Sequence, residues 1–133
     1  MPSKITGPNA VTEFILHLQK FQLNGRNFYC RNNSDKWFAN EGLNGTEFNQ
    51  IVQILSSIKR PFSILDAGSY IGTFAIRLVS ELPLAHVVCA EASPENYLMS
   101  SLNTQSYNRI KVVHCGISNK SGKFKILARK TGN

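Results

Sequence analysis

The sequence lacks the features of a secreted, membrane-spanning or metal-binding protein. No apolar run approaches the roughly 18 residues of a membrane span, and no apolar signal segment follows Met1. The three cysteines are odd in number and have no metal-ligand spacing. We expect reduced thiols, with Cys89 and Cys115 buried in their apolar runs. These absences together predict a cytoplasmic protein without a membrane or metal partner.

Acidic residues are also scarce, and none follows Glu95. The chain has 15 basic and 8 acidic residues, which gives a net charge of +7. A basic excess suits a nucleic-acid partner, but a solvated basic face is the commoner cause. A nucleic-acid partner is therefore the less favoured interpretation.

The N-terminal part of the chain predicts a helix, a hairpin and a second helix. Apolar residues at helical spacing predict helices over 11–20 and 48–58. Asn24 and Gly25 lie between apolar runs and predict a hairpin, because a type I′ turn needs positive φ at both central residues. The stretch 31–45 is rich in Asn and Gly and predicts a loop.

The pattern changes at Phe62 to short apolar strands that alternate with helices. We therefore divide the chain into residues 1–61 and residues 62–133. Such alternation predicts an α/β fold with a parallel sheet, right-handed crossovers and a three-layer core. The predicted strands are 62–65, 86–90, 110–114 and a final 123–127, and the predicted helices are 72–82 and 94–106.

The most informative segment is the turn after the first predicted strand, where Asp66, Gly68 and Gly72 form D-x-G-x-x-x-G. Gly68 lets the backbone approach a ligand without a Cβ in the way, and Gly72 lets the helix start pack closely. The helix N-terminus offers free N–H donors and a positive dipole end. Glu91 follows the second strand, where nucleotide-binding α/β folds place an acid that accepts hydrogen bonds from ribose hydroxyls.

The same residues favour S-adenosylmethionine over other ribose-containing cofactors. A dinucleotide fingerprint needs G-x-G-x-x-G, and neither that pattern nor a Walker sequence occurs. The carboxylate of Asp66 would repel a pyrophosphate but attract the cationic amino-acid end of S-adenosylmethionine.

Three ordered motifs resemble the FkbM family of methyltransferases. They are D-A-G-S-Y-I-G from Asp66, E-A-S-P-E-N from Glu91 and G-I-S-N-K-S-G from Gly116. The sequence departs from the family pattern at Ser69 and Tyr70, where Ala and Asn are usual. The resemblance covers roughly residues 46–127 and implies a Rossmann-like class I fold. It also implies methyl transfer from S-adenosylmethionine, often to an oxygen of a sugar or other small-molecule acceptor.

The resemblance assigns a role to each cofactor-binding position. The first motif would line the methionine side, Glu91 would hold the ribose, and the adenine would lie between the second and third motifs. The implied cofactor-binding residues are Asp66, Gly68, Gly72, Glu91, Ala92 and Gly116.

Six further residues have two interpretations each. The family often carries a Glu in the helix before the first strand, so Glu47 could reach the pocket, but a solvent-facing acid in a first helical turn is favoured. Trp37 and Phe38 could touch an acceptor, but a small packing cluster is favoured. The three histidines lack sequence partners, so core or surface positions are favoured over catalytic bases.

A doubly wound nucleotide fold has two β-α-β-α-β halves, and the motifs found here belong to one of them. We therefore expect a fold truncated after its first half, without nameable acceptor-side catalytic residues and inactive by itself. The unpaired edge of strand 62–65 would favour self-association. A nucleic-acid methyltransferase fragment and a non-catalytic binding module derived from the fold remain alternatives.

Overall fold

The computed structural model describes residues 8–126, with side chains from residue 12 onward. No helix in this part of the chain is long and apolar enough to cross a membrane. The elements in chain order are α1 (Pro8–Leu16), β1 (Gln19–Leu23), β2 (Arg26–Cys30), α2 (Asn33–Asn44), a 3₁₀ turn (Thr46–Phe48), α3 (Asn49–Ser56), β3 (Phe62–Ala67), α4 (Thr73–Glu81), β4 (Ala85–Glu91), α5 (Pro94–Thr104) and β5 (Ile110–His114).

A three-stranded parallel sheet in the order β3-β4-β5 forms the centre of the fold. Phe62 pairs with Ala85, and Val87 pairs with Ile110. The prediction of three parallel strands is therefore confirmed, and β3 runs two residues further than predicted, to Ala67. Among the described residues β3 pairs with β4 alone, so association at its other edge stays a prediction.

Both crossover helices cover the same face of this sheet. Leu78 and Val79 of α4 pack with Val87 and Cys89 of β4. On the opposite face Leu65 is 58% exposed, so the predicted three-layer core is wrong for the described residues. The physical reason is the strand order. From β3 to β4 and from β4 to β5 the chain moves across the sheet in the same direction, and two right-handed crossovers in the same direction place both helices on one face.

The N-terminal hairpin is confirmed. Leu23 pairs with Arg26 across the turn, and Asn24 and Gly25 have φ of 53° and 74°, as a type I′ turn requires. Helix α1 ends at Leu16 and does not extend through residue 20 as predicted. Residues 19–23 pair with β2 instead, so sheet pairing overrides the helical pattern there.

The segment predicted as a loop over 31–45 contains helix α2 (Asn33–Asn44). The side chain of Asn32 caps it by accepting a hydrogen bond from the backbone N–H of Asp35. Gly42 allows α2 to lie against α4, because a Cβ at this position would lie 2.5 Å from Oγ1 of Thr73. Two of the residues that suggested a loop therefore have helical roles: Asn32 caps α2, and Gly42 allows its close packing against α4.

The segment after β5 also differs from expectation. Residues 123–126 form no strand, and Leu127, the last residue of that predicted strand, lies outside the described residues. Phe124 and Ile126 alternate with lysines, but both are exposed and no neighbouring strand supplies hydrogen bonds in the described part of the chain. Cys115 is exposed just beyond the end of β5, contrary to its predicted burial, whereas Cys89 is buried.

The contact at Gly42 gives a stability prediction. Gly42→Ala should lower the free energy of unfolding by about 1–3 kcal/mol through overpacking against Thr73, offset in part by about 1 kcal/mol of helix propensity. Urea denaturation followed by circular dichroism measures this. Gly116→Ala is the control, because its Cβ would meet that of Ala92 at an ordinary 3.6 Å. A Gly42→Ala variant more stable than the wild type would contradict the close packing.

Candidate functional site

The turn between β3 and α4 has an unusual backbone. Gly68, Tyr70 and Gly72 have φ of 80°, 54° and 89°. Tyr70 is the notable member, because a bulky residue rarely adopts positive φ. The N–H of Gly68 donates to the carbonyl of Ala90 at 2.7 Å, which fixes the turn to the end of β4. The turn therefore depends on contacts from outside itself.

Glu91 supplies one of these contacts from the end of β4. One carboxylate oxygen accepts the N–H of Tyr70 at 2.8 Å, and the other accepts the N–H of Ser93 at 3.1 Å. Glu91 is 7% exposed. A carboxylate has about four acceptor positions, so capacity for further donors remains. Glu91 thus joins the β3–α4 turn to the β4–α5 loop.

Asp35 of α2 supplies the other contact. Its fully buried carboxylate accepts the Tyr70 hydroxyl at 2.5 Å and the Nε of Arg31 at 2.8 Å. Burial would raise the pKa of Asp35, but the hydrogen bonds from Arg31 and Tyr70 outweigh it and hold that pKa below its ordinary value. Burial and the bond to Asp35 raise the pKa of Tyr70 to about 12. Sequence analysis missed Asp35 because it placed the residue in a loop.

Asp66, at the carboxyl end of β3, differs from the other acids. Its Oδ2 is buried and has no hydrogen-bond partner. Burial raises the pKa of Asp66, and the negative charge of Glu91 raises it further. Such a carboxylate is stabilised by a ligand that brings a donor or a positive charge.

Two cavities lie at the carboxyl ends of the strands. The first, which we call the α2 cavity, has a volume of about 540 Å³ and lies between α2, the 3₁₀ turn and the β3–α4 turn, where Asp66 and Gly68 line it. The second, the β5 cavity, has a volume of about 1120 Å³ and is lined by the loops after β4 and β5, including Ala92 and Gly116. Glu91 lies on neither lining, but its carboxylate accepts hydrogen bonds from Tyr70 in the β3–α4 turn and Ser93 in the β4–α5 loop.

The six predicted cofactor-binding residues therefore do not all line one cavity. Asp66 and Gly68 line the α2 cavity, Ala92 and Gly116 line the β5 cavity, and Glu91 connects their loops. Gly72 lies apart, against α5, where a Cβ would lie 2.8 Å from Cγ2 of Thr104. The structure thus gives Gly72 a helix-packing position.

Three residues whose roles were open line the α2 cavity: Glu47, Trp37 and Phe38. The rings of Trp37 and Phe38 meet edge to face at 4.8 Å, and Phe38 meets Tyr70 at 5.2 Å. Trp37 is 59% exposed, so the pair is a cavity wall and not an enclosed packing cluster. Glu47 is exposed and also reaches the cavity, so its two interpretations are compatible.

His114 is one of the three histidines for which the sequence favours a core or surface position, but it lies at the candidate site. It ends β5 and lines the β5 cavity. Its Nε2 lies 3.0 Å from the carbonyl oxygen of Ala92, and its ring stacks on Tyr97 at 5.0 Å. The available signal was its place at the carboxyl end of a predicted parallel strand, where ligands of such sheets bind.

Comparison with known proteins shows the fold. No family model matches the sequence, and no curated protein matches it significantly. The structure is similar to the crystal structure of an S-adenosylmethionine-dependent methyltransferase from Agrobacterium tumefaciens, with a TM-score of 0.53 and 14% identity over 85% of this chain. It also matches the plantazolicin methyltransferase BpumL in complex with S-adenosylhomocysteine, with a TM-score of 0.42 and 23% identity over 71% of this chain. The chain spans 34% and 38% of the lengths of these two proteins. The first match and the parallel sheet show a Rossmann-like methyltransferase fold.

The Asp35 network gives a second stability prediction. Asp35→Asn should lower the free energy of unfolding at neutral pH by about 3 kcal/mol, because it leaves Arg31 without its buried partner. Glu95→Gln is the matched control. This change removes the exposed carboxylate that lies 3.6 Å from the same arginine, and it should lower the free energy of unfolding by about 0–1 kcal/mol.

This effect should depend on pH in a defined direction. The pKa of Asp35 is lowered in the fold, so its stabilisation is present above the unfolded pKa of about 3.9 and is lost as pH falls through the folded value. Urea denaturation at several pH values should show the gap between wild type and Asp35→Asn narrowing below about pH 4. A gap that stays constant down to pH 2 would show that ionised Asp35 is not the stabilising group.

Proposed function

We propose that this chain binds S-adenosylmethionine and forms the cofactor-binding part of a methyltransferase. The observation that carries the proposal is the buried, unpartnered oxygen of Asp66 beside Gly68, at the carboxyl end of β3. Ligands of open parallel sheets bind at that end of the strands. S-adenosylmethionine carries a protonated amine and a sulfonium, and either would stabilise this carboxylate.

The other site residues fit the remaining parts of the cofactor. A Cβ on Gly68 would meet nothing within 4 Å, so the turn leaves open space over its backbone. Glu91 has remaining acceptor capacity for ribose hydroxyls. Ala92 and Gly116 are neighbours on the lining of the β5 cavity, since a Cβ on Gly116 would lie 3.6 Å from that of Ala92, and an adenine in this cavity would pack against both.

When bound, S-adenosylmethionine supplies an electrophilic methyl group on its sulfonium. We propose that the chain is FkbM-like, as its three motifs suggest, and that the acceptor is an oxygen of a sugar or other small molecule. A nucleic-acid acceptor is less favoured, because its phosphates would approach the acidic side chains of Glu41, Glu47 and Asp66 in the α2 cavity.

Cofactor binding can be tested directly by calorimetry. Glu91→Ala should weaken binding of S-adenosylmethionine by about 1.5–3 kcal/mol, the range for a hydrogen bond to a charged group. Glu13→Gln, on the exposed surface of α1, is the control and should leave affinity unchanged. Unchanged affinity in Glu91→Ala would refute the ribose role. Tighter binding of NAD than of S-adenosylmethionine would refute the choice of cofactor.

The raised pKa of Asp66 predicts how binding depends on pH. Burial and Glu91 favour protonated Asp66, so a cationic ligand must bind the ionised form and release a proton. Affinity for S-adenosylmethionine should rise as pH increases through the pKa of Asp66, and Asp66→Asn should flatten that dependence. Calorimetry in buffers of different ionisation enthalpy measures the released proton. Equal pH profiles for wild type and Asp66→Asn would contradict this role.

A further inference from the structure

We propose that the α2 cavity binds a positively charged group of the methyl acceptor, a protonated amine or a quaternary ammonium. This inference rests on the proposed function and names the acceptor class, a cationic small molecule. The supporting observations are the charge of the cavity, the absence of ion-pair partners for its acids within the described part of the chain, and the aromatic rings of its wall.

The charge of the cavity is opposite to that of the protein. Three of the eight acidic residues of the sequence, Glu41, Glu47 and Asp66, line it, and no lysine or arginine of the described residues does. The β5 cavity, in contrast, includes Lys120 and Lys123. The acidity is therefore local to the α2 cavity and is not a consequence of composition.

Among the described residues, no cation forms an ion pair with these three carboxylates. The ion pairs among residues 12–126 use Asp35, Glu81 and Glu95. Glu41 is half-buried, and the Oδ2 of Asp66 is buried without a hydrogen-bond partner. Carboxylates that face one cavity repel each other, so a cation within it would lower the free energy of all three.

Aromatic rings complete the binding surface. Trp37 and Phe38 project from α2, and the rings of Phe48 and Phe74 meet at 4.4 Å on the far side. Trp37 and Phe38 are 59% and 49% exposed, which is high for such large apolar side chains. Aromatic faces attract organic cations, and tryptophan does so most strongly. Rings combined with carboxylates are a typical surface for ammonium groups.

The position of these groups distinguishes the acceptor from the cofactor. Asp66 and Gly68 belong to the β3–α4 turn, whereas Glu41 and Trp37 belong to α2 and Glu47 to the 3₁₀ turn. If Asp66 takes the cationic end of the cofactor, Glu41 and Glu47 remain for a second cation on the same cavity. Glu41 and Glu47 would then hold the acceptor through a positive charge that lies near its methylated atom.

The single tryptophan of the sequence makes this testable by fluorescence. Trp37 emission is followed while choline, or its neutral isostere 3,3-dimethylbutan-1-ol, is titrated into the full chain with and without saturating S-adenosylmethionine. We expect choline to bind about 3–30-fold more tightly than the alcohol, the range for a partly desolvated cation on aromatic rings. The double variant Glu41→Gln/Glu47→Gln should lose this preference, and Glu13→Gln should keep it.

The outcomes separate this inference from the proposed function. Equal binding of choline and the alcohol, or a preference unchanged in the double variant, would overturn the cation site. Competition between choline and S-adenosylmethionine would also overturn it, because the cavity would then belong to the cofactor. Selective choline binding without any binding of S-adenosylmethionine would support the cation site and refute the proposed function. Calorimetry should also show that the double variant binds S-adenosylmethionine with the same affinity as the wild type.

Discussion

Two carboxylates from distant parts of the chain hold Tyr70, and the shape of the site depends on these two bonds. Glu91 accepts the backbone N–H of Tyr70, and Asp35 accepts its hydroxyl. A non-glycine residue at φ of 54° costs of order 1–3 kcal/mol and persists where its surroundings require it. With Tyr70 fixed, the turn keeps Gly68 open to solvent and Asp66 at the edge of the sheet. The same bond to Asp35 fixes α2 over the turn, which creates the α2 cavity.

This arrangement concentrates negative charge in a protein that is otherwise basic. Asp35 is neutralised by Arg31, and Glu91 is stabilised by backbone N–H groups. Asp66 has no such compensation on its buried oxygen, and its raised pKa reflects this. A cationic ligand would supply the missing charge, which is why we relate the site to S-adenosylmethionine and its neighbouring cavity to a cationic acceptor.

Sequence analysis predicted the sheet and the proximity of Asp66 and Glu91 because those features depend on local patterns. Apolar runs marked β3, β4 and β5, and the carboxyl ends of parallel strands meet at one edge, which placed Asp66 and Glu91 near each other. Helix α2 was missed although its buried residues have helical spacing. Those residues are Asp35, Ala39, Gly42 and Leu43. Only Leu43 is a large hydrophobic residue, so the pattern carried little apolar signal. The burial of Asp35 depends on Tyr70, which lies far along the chain.

We propose that S-adenosylmethionine lies across the ends of β3, β4 and β5, and amide NMR is the sharpest test of this placement. In ¹H–¹⁵N spectra, saturating S-adenosylmethionine should shift the amides of Gly68, Tyr70, Ala92 and Gly116 together, with one dissociation constant. Leu23 and Gly25 of the hairpin serve as internal references and should not move. Shifts confined to other parts of the chain, or no shifts at millimolar S-adenosylmethionine, would contradict this placement of the cofactor.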